Sequence, residues 1–209
     1  MADFELKSDE EKAEELKAWW KENGTSVLAG IALTIGGMFG WQQYQQYQLD
    51  QSEGASKLFS QLSKQEVDST TVLKKLNDDY GSSSYSSLAA LKVAKTTCEN
   101  NKLDLCIEQL KMASNSSQDS IASIAKLRLA RAYISTGKLD DANSLLATKM
   151  PTAYSSLITE LTGDIHFAKK EFTKAREAYD RAILSSGGQN LKILKMKRDD
   201  LSKQKNSGA

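Results

Sequence analysis

The longest apolar run of the chain lies near its start, at residues 25–41, and reads TSVLAGIALTIGGMFGW. No charged residue occurs between Glu22 and Asp50. At about 1.5 Å per helical residue this run would span roughly 26 Å, close to the ~30 Å hydrocarbon core of a bilayer. The pattern therefore predicts a transmembrane helix.

Aromatic residues flank this apolar run. All three tryptophans lie at its ends, Trp19 and Trp20 before it and Trp41 at its close, as in the aromatic belts of membrane proteins. One alternative is a cleaved signal peptide, but no A-x-A-like triplet follows the apolar run. A core helix of a soluble domain is the other alternative, and it does not explain the tryptophans. We favour an uncleaved anchor over residues 25–47.

The distribution of lysines predicts the orientation of this anchor. Four lysines lie in the arm before it, whereas the stretch from residue 42 to residue 61 carries only Lys57. Positively charged flanks tend to stay in the cytoplasm. We therefore expect a cytoplasmic N-terminus and an exported C-terminal part, which is periplasmic if the source is a Gram-negative bacterium.

The arm, residues 1–24, is acidic and becomes amphipathic in its second half, where Leu16 and Trp20 recur at helical spacing. It either lies on the membrane surface or continues the anchor helix as a solvated segment. Asn23 and Gly24 are predicted to break the helix between arm and anchor.

Three small residues of the anchor fall four apart, a pattern that lets a second helix approach closely. Glycine is also frequent in membrane helices generally, so a helix partner and self-association both remain open. The stripe consists of Ala32, Gly36 and Gly40.

Composition predicts that the rest of the chain is all-α. Pro151 is the only proline, β-branched alternating runs are absent, and 40% apolar with 26% charged residues is ordinary for a globular domain. The net charge of +1 has no basic cluster behind it, which argues against a nucleic-acid partner. We expect a helical domain over residues 48–201 and a disordered tail over residues 202–209.

From Tyr85 onward the chain repeats itself. Each repeat ends one helix, makes a short turn and begins a second helix at Leu103, Leu139 or Phe172, spacings of 36 and 33 residues. These spacings bracket the 34-residue period of tetratricopeptide (TPR) repeats. The three segments are 95–113, 131–149 and 164–182.

The pattern favours a TPR-like solenoid of helical hairpins over an unrelated helical bundle. Small residues at Cys106, Ala142 and Ala175 would let the paired helices approach closely. Before the repeats, residues 52–63 and 69–79 are predicted to form a first hairpin around the loop 64–68. After them, a helix over residues 189–201 would cap the solenoid.

Residues capable of catalysis are sparse. His166 is the only histidine, and the chain has no glycine-rich phosphate loop, no nucleophile elbow and no CxxC motif. We expect a packed structural role for His166, no metal or cofactor, and no enzyme activity. Cys98 and Cys106 lie on opposite arms of one hairpin, so a disulfide, two buried free thiols and a redox pair all remain open.

Binding is the remaining class of function. In a TPR-like stack the first helix of each hairpin lines a concave face, which suits an extended peptide or a partner helix. For each of its apolar members, a place in the core between helices is an equally open interpretation. The repeat register places on this predicted concave face Leu88, Leu91, Lys95, Ile124, Leu127, Arg131, Ile134, Leu157, Glu160, Asp164 and Phe167.

Several motifs in fixed order resemble the YfgM family, ancillary subunits of the bacterial SecYEG translocon. They are WKENG at 20–24, a glycine-rich anchor ending in Gly40-Trp41, LRLARAYISTGKLDDA at 127–142, and GD followed by A-R-x-A-x after Gly163. The resemblance covers essentially the whole chain.

This resemblance implies a single anchor in the bacterial inner membrane, a cytoplasmic N-terminus and a periplasmic TPR-like domain. It also implies association with the SecYEG translocon and with a membrane-anchored periplasmic chaperone of the PpiD type, a role in passing newly exported chains to chaperones, and a link to an envelope-stress regulator. It implies no catalytic residues and does not bear on Cys98 and Cys106, so the disulfide prediction rests on their spacing alone. We predict an inner-membrane adaptor; the alternative is a tethered scaffold for another envelope assembly.

Overall fold

The computed structural model describes residues 8–62, 68–188 and 190–206. The chain divides into two compact units, Met1–Gln51 and Ser52–Ala209. Within the described ranges all regular secondary structure is helical, which confirms the predicted all-α class. The second unit begins at Ser52, four residues after the predicted start of the helical domain.

Helix α1 runs without interruption from Asp9 to Gln61, so the predicted break at Asn23 and Gly24 is wrong. The Asn23 side chain donates to the carbonyl oxygen of Trp19 at 3.1 Å, within the helix. The indole of Trp20 lies 3.3 Å from the position that a Cβ on Gly24 would occupy, and Gly24 is buried. These contacts stabilise the helix at a residue that would otherwise weaken it, and they favour an arm that continues the anchor helix.

The second unit consists of the end of α1 followed by helices joined into hairpins. The helices are α2 Ser69–Tyr80, α3 Ser84–Glu99, α4 Leu103–Ser114, α5 Asp119–Ser135, α6 Leu139–Leu146, α7 Ser155–Ala168, α8 Phe172–Ser185 and α9 Leu191–Asn206. A short 3₁₀ turn, Thr152–Tyr154, precedes α7.

The three predicted repeats share one turn geometry. Their second helices, α4, α6 and α8, begin at Leu103, Leu139 and Phe172, the residues that the sequence aligned. Each repeat also has one residue with a positive φ, two residues before its second helix begins. The backbone N–H of that residue donates to a carbonyl oxygen in the last turn of the first helix. The left-handed residues are Asn101 (φ 59°), Gly137 (φ 73°) and Lys170 (φ 60°).

Small residues inside the hairpins are fully enclosed. Cys106, Ala142 and Ala175 each have 0% exposure, so the paired helices are in close contact at these points. In the third hairpin the ring of Tyr179 lies against Gly163, where a Cβ would meet Cε1 at 2.5 Å. Close helix pairing therefore depends on the small residues that the repeat pattern singled out.

The end of α1 packs onto the first helices of the second unit. The ring of Tyr80 lies against Gly54, and the ring of Phe59 lies 5.6 Å from that of Tyr85. Lys92 places its ammonium 5.7 Å from the Phe59 ring centroid. Asp68 caps α2 by accepting from the backbone N–H of residue 70 at 3.1 Å. The rest of the predicted loop, residues 64–67, lies outside the described residues.

The last helix, α9, buries Leu194 and Leu201, as expected of the predicted capping helix. It runs from Leu191 to Asn206, whereas the prediction ended it at residue 201. The predicted disordered tail is therefore corrected for residues 202–206, which are helical. Residues 207–209 lie outside the described residues.

Candidate functional site

The apolar part of α1 is exposed over nearly its whole circumference. Leu33, Met38 and Phe39 are 78, 74 and 68% exposed, and 6% of the most apolar window is buried. A core helix of a soluble protein would be mostly buried. By length and composition the helix can cross a membrane, as a signal sequence near an N-terminus also can. Thr34, within this segment, bonds its hydroxyl to the carbonyl oxygen of Gly30 at 2.8 Å, which satisfies it without water.

The small-residue stripe of the anchor faces no other described part of the chain. A Cβ added at Gly36 or Gly40 would have nothing within 4 Å, and Ala32 is exposed. A helix contact through this stripe stays a prediction.

The eleven residues of the predicted concave face divide into three groups. Leu91 and Leu127 are buried, at 8 and 3% exposure, and belong to the core. Glu160 and Asp164 are held by ion pairs within the chain. The other seven are exposed or half-buried: Leu88, Lys95, Ile124, Arg131, Ile134, Leu157 and Phe167.

Exposed apolar side chains remain on this face. Leu88 is 37% exposed and Ile124 36%, on α3 and α5 respectively. Phe167, 39% exposed at the end of α7, has its ring 5.9 Å from that of Phe172. Ile134 and Leu157 are half-buried against the core. The face thus offers scattered apolar contact points.

The acidic residues of the predicted face are occupied by the last helix. Lys197 of α9 donates to Glu160 Oε1 at 2.7 Å and to both oxygens of Asp164 at 2.8 Å. Tyr179 donates its hydroxyl to Asp164 Oδ1 at 2.8 Å. Burial, together with the negative charge of Asp164, raises the pKa of Tyr179, so the phenol stays protonated and remains a donor. Glu160 and Asp164 therefore attach α9 to α7.

Lys95 and Arg131 lie together on the wall of an open groove between α3 and α5. Its volume is about 390 Å³. The floor is apolar and includes Ala94, Ala132 and Leu110. Two cationic side chains of the predicted face thus meet beside an apolar surface.

One cysteine of a disulfide, Cys98, lines the same groove. The structure joins Cys98 to Cys106, with Cα atoms 5.1 Å apart, inside the usual ~4.4–6.8 Å range. Cys106 is fully buried, whereas Cys98 is half-buried and borders the groove. The bond links the end of α3 to the start of α4.

His166 packs at the turn between α7 and α8. Its Nδ1 lies 2.6 Å from Glu171 Oε2. The hydrogen bonds from His166 and Lys174 lower the pKa of Glu171. Across the described residues, no group of three or more His, Cys, Asp or Glu side chains is arranged to hold a metal ion.

Comparison with known proteins places these features in a family. A family model described as "Tetratricopeptide repeat-like domain" matches residues 17–203. A Haemophilus influenzae protein named "Ancillary SecYEG translocon subunit" is 31% identical over 199 residues, covering 92% of this chain and 97% of the relative. The chain belongs to the YfgM family of ancillary SecYEG translocon subunits.

Other members of the YfgM family are similar over the same length. An Aggregatibacter actinomycetemcomitans protein of that name is 29% identical over 198 residues, which cover 92% of this chain and 97% of the relative. The Escherichia coli protein of that name is 24% identical over 201 residues, which cover 93% of this chain and 97% of the relative. No solved structure matches the chain. The family-model match over residues 17–203 confirms the TPR-like class predicted from the repeats.

Two residues that the repeat register missed belong to the surface of this YfgM-family chain. Arg128 lines the same groove as Arg131 and lies three residues before it on α5, a helical spacing that could have identified it. Lys197 pairs with residues 33 and 37 positions away. Because periodicity cannot show which face α9 packs against, no sequence signal pointed to Lys197.

Proposed function

We propose that this chain is an inner-membrane adaptor that accompanies the SecYEG translocon and holds a periplasmic chaperone beside it. The observation that carries the proposal is the extent of similarity to the named translocon subunits. With the Haemophilus influenzae protein it covers 92% of the chain, so anchor and repeats are shared together. In this function α1 docks laterally in the membrane and the exported repeats hold a membrane-anchored chaperone of the PpiD type.

The surface of the repeats supports a binding role. Leu88 and Ile124 present apolar side chains at partial exposure, and Lys95 and Arg131 present charges on the same two helices. Apolar anchors with polar neighbours are typical of surfaces that bind proteins. We propose a non-enzymatic role, since the relatives are named as ancillary subunits.

Topology is the first test of this proposal. Protease added to spheroplasts should digest the repeats, detected by an antibody against the second unit, while intact cells protect them. Protection in spheroplasts as well would place the repeats in the cytosol and remove a periplasmic partner from the function.

Affinity purification from membranes tests the partner surface. The double variant Leu88→Glu, Ile124→Glu should lose the chaperone and retain the translocon, because α1 is unchanged. Leu184→Glu is the matched control, since Leu184 is 86% exposed on α8, away from the predicted face. Full recovery of the chaperone by the double variant would exclude this face. A crosslinked complex without translocon subunits would instead favour a scaffold for another envelope assembly.

A further inference from the structure

The groove between α3 and α5 has a size that restricts its ligand. Its volume of about 390 Å³ lies at the lower end of the ~300–1,000 Å³ of ligand pockets. A two-turn helix about 10 Å wide and about 11 Å long would displace roughly 800 Å³. Most of such a helix would therefore lie outside the groove, whereas one or two side chains of an extended segment would fit inside it.

The floor of the groove selects apolar groups. Ala94 of α3, Ala132 of α5 and Leu110 of α4 all line the groove and are 1, 7 and 1% exposed. The alanine side chains are small, and Cys98, which is half-buried, also lines the groove. An aliphatic side chain placed here would lose water on several sides, which favours binding.

The rim of the groove is cationic. Lys95, Arg128 and Arg131 line it, and Glu99 is the one acidic side chain among them. Lys95 and Glu99 lie 3.9 Å apart, with side chains 68 and 63% exposed. Over the ranges that the structure describes, neither arginine takes part in an ion pair. The whole chain carries a net charge of only +1, so this positive charge is a local feature.

The two arginines are suitably spaced for two carboxylates. Residues three apart on a helix have Cβ atoms about 5–6 Å apart, and alternate side chains of an extended strand lie roughly 7 Å apart. Guanidinium groups bind carboxylates through paired, charge-assisted hydrogen bonds. An extended segment can therefore present two carboxylates to Arg128 and Arg131 while the side chain between them points to the apolar floor.

We propose that this groove binds an extended protein segment in which an aliphatic residue is flanked by two acidic residues, as in Asp-Leu-Glu. The proposal rests on the proposed adaptor function, because the segment would belong to the exported partner. It defines by chemistry what the concave face recognises.

Fluorescence anisotropy with the full chain in detergent micelles tests this proposal. The probe is a short fluorescein-labelled peptide with Asp-Leu-Glu between Gly-Ser flanks. Because an exposed ion pair contributes about threefold in affinity, the neutral analogue Asn-Leu-Gln, which loses two such pairs, should bind about tenfold more weakly. The analogue Asp-Ala-Glu should also bind more weakly, and added salt should weaken the parent peptide. Equal binding of all three peptides would overturn the proposal.

Variants of the chain locate the binding site. Arg128→Gln, Arg131→Gln should weaken Asp-Leu-Glu about tenfold, and the control pair Arg176→Gln, Arg181→Gln, exposed on α8, should not. Ser135→Phe, at an exposed position on the groove wall, should block the peptide without removing charge. Unchanged affinity in both groove variants would overturn the proposal. The membrane purification with Leu88 and Ile124 would still report on the adaptor function, so the two failures are distinguishable.

Discussion

Gly163 is the position where one added methyl group should perturb the third hairpin most. In an open helix, glycine to alanine stabilises by about 1 kcal/mol, since alanine has the higher helix propensity. At Gly163 the new Cβ would lie 2.5 Å from Tyr179 Cε1, 2.7 Å from Cδ1 and 3.3 Å from the Cβ of Ala178. We therefore expect Gly163→Ala to destabilise the protein, against the sign that helix propensity predicts.

The magnitude follows from what the tyrosine ring must do. Carbon atoms in ordinary contact are ~3.5–4.0 Å apart, so the ring has to move by about 1 Å. Overpacking of this kind costs about 1–3 kcal/mol, and weakening the bond from the Tyr179 hydroxyl to Asp164 adds up to about 1.5–3 kcal/mol. After subtraction of about 1 kcal/mol of helix-propensity gain, Gly163→Ala should lower the free energy of unfolding by about 2 kcal/mol, and by at most about 5 kcal/mol if the hydrogen bond is lost completely.

Thermal unfolding followed by circular dichroism measures this loss. For a domain of this size, 1 kcal/mol corresponds to about 2–4 °C in Tm, so a loss of about 2 kcal/mol should lower the Tm of Gly163→Ala by roughly 4–8 °C. Tyr179→Ala removes the ring, and in that background Gly163→Ala should be neutral or stabilising, which a double-mutant cycle reports as coupling. A higher Tm for Gly163→Ala alone would refute the reasoning.

Three further changes test other contacts. Lys197→Met removes the cation that pairs with Glu160 and Asp164 and should lower the free energy of unfolding, measured by chemical denaturation, by about 2–3 kcal/mol. The exposed control Lys195→Met should change it by less than about 0.5 kcal/mol. Equal losses in the two variants would contradict the ion-pair role. Hydrogen bonds lower the pKa of Asp68 below 3.8. The stability difference between the wild type and Asp68→Ala should therefore persist above that pH and shrink as the pH falls through the lowered pKa. A pH-independent difference would contradict the capping role of Asp68. Reducing Cys98–Cys106, which closes a loop with a sequence separation of 8, should cost about 2.5 kcal/mol of unfolding free energy, and thiol labelling without reductant would contradict the bond.

The repeat architecture was predictable because each hairpin uses the same few residues for the same physical purpose. Leu103, Leu139 and Phe172 begin second helices, and a period near 34 residues predicts stacked hairpins. The candidate membrane span in α1 was equally accessible, because its length and its apolar composition are properties of the sequence itself.

The residues of the predicted concave face were harder to predict from the sequence, because packing decides which of them are exposed. Leu91 and Leu127 have the register of the face, but both are buried in the hydrophobic core. Glu160 and Asp164 read as solvent-facing charges because their partner Lys197 lies in another helix. The helix break at Gly24 was wrongly predicted because the shielding indole of Trp20 is a contact that propensity does not include.

The shared left-handed turns determine where the chain can change length. Asn101, Gly137 and Lys170 fix the hairpin turns, so an insertion there would rotate the second helix and misplace its enclosed small residue. The connections between hairpins have no such constraint, because α4 and α5 are joined by residues 115–118 and α6 and α7 by residues 147–154. The hairpin turns keep three residues each. The connection lengthens by four residues between the two cases while α6 and α7 are together seven residues shorter than α4 and α5, which gives the change in spacing from 36 to 33 residues. Insertions and deletions among related chains should therefore accumulate in these connections, where the solenoid can vary without losing its hairpins.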